Sequence, residues 1–221
     1  MFDSVIVEPK RNARSAVIWL HGLGASGHDF KSIVPLIDPD ISSIRFIFPN
    51  ATRIPITVNG GMVMPAWYDI KYIDIDRTID VPGISASANR IDAIIQDQIN
   101  SGIMPERILL VGFSQGGAVA LYTGVRSSEP LGGILALSAY WVGSQDPQLK
   151  LGRSPGQLFI EIHHGTADPV VPYELGERAA KSLSSLGYPV TFKAFSMQHS
   201  VIPEQLEVIG DWILSRICGK E

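Results

Sequence analysis

The chain has 221 residues, 45% of them hydrophobic and 18% charged, with a formal net charge of −4. That length suits a single α/β domain over 1–221 with a sizeable core, and basic residues too scattered to form a patch argue against nucleic acid as a partner. The apolar runs are too short for an integral membrane span, no charged stretch followed by a long apolar one opens the chain, and the one cysteine, Cys218, forms no intrachain disulfide, so a cytoplasmic protein is expected.

Taken in order, SVIVEP (4–9), SAVIWLHG (15–22) and SIRFIFPN (43–50) read as strands, β-branched or aromatic and ended by Gly, Pro or Asn. Residues 51–84 break the pattern. They hold Gly, Pro, Met, Trp and Tyr without clean periodicity, and that apolar content argues against disorder. An irregular insertion of this kind is expected to form a loop over a substrate groove. A helix follows over 85–102, where Ile91, Ile94, Ile95 and Ile99 share one face. Then come a strand (107–114), a helix opened by small residues (116–126) and two more strands (132–140 and 157–165). A helix over 174–187 carries the stripe Leu175, Ala179, Leu183 and Leu186, and a strand follows over 190–196. The last helix, 203–217, begins at Pro203 and presents Leu206, Ile209, Ile213 and Ile217. Strands apolar on both faces, alternating with helices, imply an α/β fold with a mostly parallel central sheet flanked by helices on both faces.

Gly112-Phe113-Ser114-Gln115-Gly116 matches G-x-S-x-G, with a strand before it and a helix after it. That order builds a nucleophile elbow. The sharp turn strains the serine backbone, and glycines two before and two after remove Cβ atoms that would collide. The hydroxyl emerges near a helix N-terminus, whose partial positive charge favours a developing anion. A neutral serine needs a base, and the base needs an acid to orient it. Where this elbow sits on an α/β sheet, serine comes first in the chain, then the acid, then the histidine. Of five histidines, His199 fits that order, lying between the last strand and the last helix. Asp168, in HHGTADPVVP, is preferred as the acid. Asp146, after the preceding strand, is the rival. The oxyanion hole is expected from the backbone N–H of Gln115 and from the HGLG loop (21–24), with Leu23 the chosen donor. His163 and His164 are adjacent on a strand and point to opposite faces, so they do not chelate one ion. No metal motif is present and no cofactor is expected.

These motifs together resemble the phospholipase/carboxylesterase group of α/β-hydrolases, which includes acyl-protein thioesterases and bacterial carboxylesterases. The resemblance rests on VIWLHGLG (17–24), AWYDI (66–70), GFSQGG (112–117), HGTADPVVP (164–172) and HS (199–200), which span nearly the whole chain in order. It implies a triad of Ser114, Asp168 and His199, an oxyanion hole at Leu23 and Gln115, and an acyl pocket lined by Trp67. In one departure from the family pattern, the loop after HGLG carries Ala25-Ser26 and no acid before Asp29.

The function expected is a serine hydrolase acting on a small-molecule acyl ester, thioester or lysophospholipid through an acyl-enzyme. The apolar stretch 62–73 points to an acyl chain, with Met62, Met64 and Tyr68 beside Trp67 as the binding residues. Two alternatives share the fold: an acyltransferase using the same acyl-enzyme, and a non-catalytic ligand-binding member. An exposed apolar groove rim would allow a homodimer.

Overall fold

In the computed structural model, residues 3–37, 43–71, 79–152 and 155–218 are described. The chain opens with β1 (Ser4–Val7) and β2 (Ser15–Leu20), then two short helices, α1 (Gly27–Lys31) and α2 (Val34–Ile37), and β3 (Ile44–Pro49). A hairpin of β4 (Arg53–Ile56) and β5 (Met62–Pro65) precedes α3 (Val81–Asn100). The rest alternates: β6 (Ile108–Phe113), α4 (Gln115–Arg126), β7 (Gly133–Leu137), β8 (Ile160–Gly165), α5 (Tyr173–Ser185), β9 (Val190–Phe195) and α6 (Pro203–Cys218).

Seven strands form one sheet in the order β1-β3-β2-β6-β7-β8-β9. Only β1, at the edge, runs antiparallel to its neighbour. The two-residue period of the strands divides the core in two. Ala16, Ile18 and Leu20 of β2, with Ile108 and Leu110 of β6, pack on the face covered by α3, α4 and α5. Val17 and Trp19, with Leu109 and Val111, pack on the face covered by α1, α2 and α6. Every residue of β2 is buried, which is why that run shows no polar alternation. Leu110 sits at the centre of this core with no exposed surface. Leu110→Ala is expected to cost about 2–5 kcal/mol of stability. A lower urea midpoint at unchanged slope would register it, and a midpoint equal to wild type would contradict the packing described.

The sequence expectations hold for the main elements and shift at their edges. Residues 51–84 are not one irregular loop: β4 and β5 form an antiparallel hairpin with Ile54 opposite Met64, and α3 begins at Val81. The part of the expected loop at 72–78 lies outside the described residues. The early start of α3 was hidden by Pro82 and Gly83, which read as loop residues. Proline is tolerated in a first turn, and the Asp80 side chain accepts from the Gly83 N–H at 3.2 Å. Leu186 leaves its stripe because α5 ends at Ser185, and it is exposed.

The connections place the crevice. From β2 the chain moves to β3 on one side, whereas from β6 it moves to β7 on the other. In open α/β sheets, ligands bind beyond the carboxyl ends of strands at such a reversal. Leu20 pairs with Gly112, so the His21–Leu23 loop and Ser114 leave the sheet side by side.

Candidate active site

Ser114 stands between β6 and α4 with φ 53° and ψ −118°, a conformation that side chains rarely adopt. The strain persists because its surroundings are packed to backbone contact. A Cβ on Gly116 would lie 2.5 Å from the carbonyl oxygens of Leu20 and His21, so only glycine lets α4 start this close to the end of β2.

Two more loops bring an imidazole and a carboxylate to that hydroxyl. Past the strand ends, the ladder between β8 and β9 continues through Thr166 N–H to Phe195 O at 2.9 Å and Ala167 N–H to Met197 O at 3.1 Å. Gly165 permits this approach, since a Cβ there would meet Met197 O at 2.4 Å. His199 is thereby carried over the sheet. Its Nε2 lies 2.9 Å from Ser114 Oγ, and its Nδ1 lies 2.7 Å from Asp168 Oδ2. The other carboxylate oxygen, Asp168 Oδ1, accepts the N–H groups of Val170 and Val171, each at 2.8 Å. The carboxylate is thus oriented with one oxygen left for the imidazole. Asp146 is engaged elsewhere: its Oδ2 accepts from the Tyr122 hydroxyl at 2.6 Å.

The remaining described imidazoles with a shifted titration are buried, and burial pushes each below the usual histidine range. His21 accepts the Ala51 N–H on Nε2 at 3.0 Å, and His164 bonds Val171 O at 2.9 Å. His163 bonds Glu161 at 2.7 Å. Burial alone would raise the Glu161 carboxyl, but hydrogen bonds from His163 and Lys193 outweigh it and hold it below the usual range. His21 and His163 serve separate structural contacts, and His164 Nε2 also lies 3.6 Å from Asp168 Oδ2.

Among the described residues, neither the Leu23 nor the Gln115 backbone N–H donates a hydrogen bond within the protein. Gln115 is the first residue of α4, where no intrahelical acceptor exists and the helix dipole adds positive potential. Both residues border the same cleft as Ser114 and His199. The cleft has a volume of about 420 Å³, and its apolar walls include Phe30, Ile70, Phe113, Tyr140 and Val170. Among the described residues, Asp29 is the one carboxylate on its border, four residues past the departure at Ala25. It bonds the Ser26 N–H at 2.6 Å and the Ser26 hydroxyl at 2.9 Å, which holds its carboxyl below the usual range.

The residues expected to bind the acyl chain do not border this cleft. Trp67 is buried; its indole N–H donates to His21 O at 2.8 Å. Tyr68 is buried behind Tyr140, their hydroxyls 2.7 Å apart. Met62 faces solvent on the hairpin, and Met64 lies half-buried there with its sulfur near Gly24. Among the described residues of the stretch 62–73, it is Ile70 that reaches the cleft. The sequence reading also missed Phe113 and Val170. Their signal was their place in the motifs, each an apolar residue beside the polar groups of the site, Phe113 at the end of β6 and Val170 in the loop after β8.

The family profile described as phospholipase/carboxylesterase matches residues 1–217. The acyl-protein thioesterase 1 of Gibberella zeae is 41% identical over 226 aligned positions, covering 97% of this chain and 96% of the relative. That of Neurospora crassa is 39% identical, covering 92% and 87%. Among solved structures, Arabidopsis thaliana SOBER1 superposes with a TM-score of 0.86 at 32% identity, covering 93% of this chain and all of that one. Zea mays acyl-protein thioesterase 2 superposes with a TM-score of 0.84 at 26% identity, covering 98% and 100%.

Proposed function

Since the chain belongs to the phospholipase/carboxylesterase family and is a hydrolase, we propose that Ser114, His199 and Asp168 form its catalytic triad and that it cleaves carboxylic esters and thioesters of apolar acyl chains. The observation that carries this reading is the unbroken relay from Asp168 through His199 to Ser114, at 2.7 and 2.9 Å. With Nδ1–H donated to Asp168, Nε2 keeps a lone pair facing the hydroxyl. His199 takes the Ser114 proton as the oxygen attacks the acyl carbon, and the carbonyl electrons move onto oxygen. The N–H groups of Leu23 and Gln115 are proposed to receive that charge. The imidazolium then protonates the departing alcohol or thiol, and water repeats the sequence on the acyl-enzyme. A thiol leaves with less acid help than an alcohol because its pKa is near 8.5, so one site serves both substrate classes.

The apolar walls of the cleft support an acyl chain as the group bound. Matched oxygen esters and thioesters, graded from acetyl upward, test the reading. Within both series kcat/KM is expected to rise by up to roughly four-fold per methylene until the cleft is filled, the equivalent of about 0.8 kcal/mol for each buried group. A flat profile, or a preference for charged acyl groups, would contradict an apolar acyl site. A homodimer is no part of this proposal. Among the described residues, Val170 is the exposed large apolar side chain lining the cleft, little against the roughly 20–30 residues a side of a stable interface. No helix among the described residues is long and apolar enough to cross a membrane.

A further inference from the structure

Trp67 spends every polar group it has on the segments that carry the two oxyanion donors, or on the helix behind them. Its indole N–H donates to His21 O at 2.8 Å, in the peptide unit next before the one that holds the Leu23 N–H. Its backbone N–H donates to Gln115 Oε1 at 2.9 Å, and the amide of the same Gln115 side chain returns a bond to Tyr68 O at 2.7 Å. Its carbonyl accepts from the Ser87 hydroxyl on α3. The ring lies against the His21 imidazole, centroids 5.2 Å apart.

His21 passes the constraint onward. Its Nε2 accepts the Ala51 N–H at 3.0 Å, so the ring proton belongs on Nδ1, which lies 2.7 Å from Gly22 O. Gly22 O and Leu23 N–H are the two ends of one peptide group. In a trans peptide they point in opposite directions. A proton held on the carbonyl side therefore turns the Leu23 N–H away from the imidazole and toward the cleft that Leu23 borders.

We propose that Trp67 is the positioning residue of the oxyanion hole, bridging the Leu23 segment and the Gln115 segment so that their N–H groups converge on one point. The inference rests on the reading of Ser114 as nucleophile given above. It gives Trp67 a task unlike lining an acyl pocket: the residue touches no substrate and acts through His21 and through the Gln115 side chain. Two donors must lie about 2.7–3.1 Å from the oxyanion to stabilise it, so a bridge that sets their separation acts on the transition state and leaves ground-state binding alone.

Trp67→Phe removes the indole N–H and keeps an aromatic ring. It is expected to lower kcat by roughly 10- to 100-fold, the scale of a misplacement of about 1 Å, with KM within about two-fold of wild type. An alkyl boronic acid, which forms a tetrahedral adduct at the serine, is expected to lose affinity by the same factor. Octanamide, a ground-state analogue, is expected to bind unchanged. Gln115→Met breaks the other arm while leaving its backbone N–H in place. It is expected to show the same split, and it carries the test if Trp67→Phe does not fold. Prolonged exposure to a fluorophosphonate keeps the two readings apart. Wild-type protein that is not labelled at Ser114 removes the serine-hydrolase reading and this one with it. If labelling is complete but the folded variants keep wild-type kcat and boronate affinity, or lose octanamide binding in proportion, only the positioning role is overturned.

Discussion

Ser114→Ala is expected to lower kcat for ester hydrolysis by on the order of 10⁶-fold and to leave the fold intact. The hydroxyl is the atom that would form the acyl bond, and His199 Nε2 lies 2.9 Å from it. Removing it therefore strands no buried donor deep in the core. Alanine meets the same backbone strain at φ 53° that serine already bears, so the elbow retains its shape. Residual turnover above water would reflect the Leu23 and Gln115 donors and substrate positioning alone. Rapid quenching followed by intact-mass measurement checks the prediction: wild type should accumulate an acylated species that the variant lacks. A variant that turns over p-nitrophenyl esters within ten-fold of wild type would eliminate Ser114 as the nucleophile.

Asp168→Asn carries the second largest expected effect, a loss in kcat of about 10⁴-fold at neutral pH. The direction follows from which oxygen is already committed. Oδ1 accepts two backbone N–H groups, from Val170 and Val171, so the asparagine oxygen must take that position. Its NH₂ then faces His199 Nδ1, where Oδ2 stood at 2.7 Å. A donor there forces Nδ1 to accept, moves the ring proton to Nε2 and leaves no lone pair for the Ser114 hydroxyl. The geometry survives and the tautomer is wrong. Steady-state kinetics beside a thermal melt separate the two: kcat collapses while the melting temperature changes little. Asp146→Asn serves as the control, since that carboxylate is held by Tyr122 and is expected to leave kcat near wild type. If Asp146→Asn is the damaging change and Asp168→Asn is not, the acid has been assigned to the wrong loop.

The sequence carried much of this architecture because its signals are local. Apolar runs such as SAVIWL mark strands covered on both faces, and stripes such as Ile91, Ile94 and Ile95 mark the buried side of a helix. The elbow was legible for the same reason. Gly112, Ser114 and Gly116 lie within one turn of chain, and their spacing is itself the steric requirement. Chain order then ranked His199 and Asp168 above their rivals without any distance being known. The hairpin at β4–β5 was not legible. Its strands are short, the alternation of Ile54 and Ile56 with exposed Arg53 and Pro55 spans only one four-residue strand, and the turn between them is a 3₁₀ segment capped by Gly60.

By itself the sequence determined which segments become strands and helices, where the strained serine stands, and which residues are chemically able to serve it. Only the tertiary structure decided who meets whom. It set the Trp67 indole on His21 O, 46 residues away in the chain, and its N–H on the Gln115 side chain, 48 away. It gave the cleft wall to Ile70, Phe113 and Val170 in place of Trp67, Met62, Met64 and Tyr68. Periodicity records whether a side chain is buried, since burial depends on the face of its own element. It cannot record whether that burial is inside the core or against a ligand cleft, because the two environments are equally apolar and differ only in what the rest of the fold leaves uncovered.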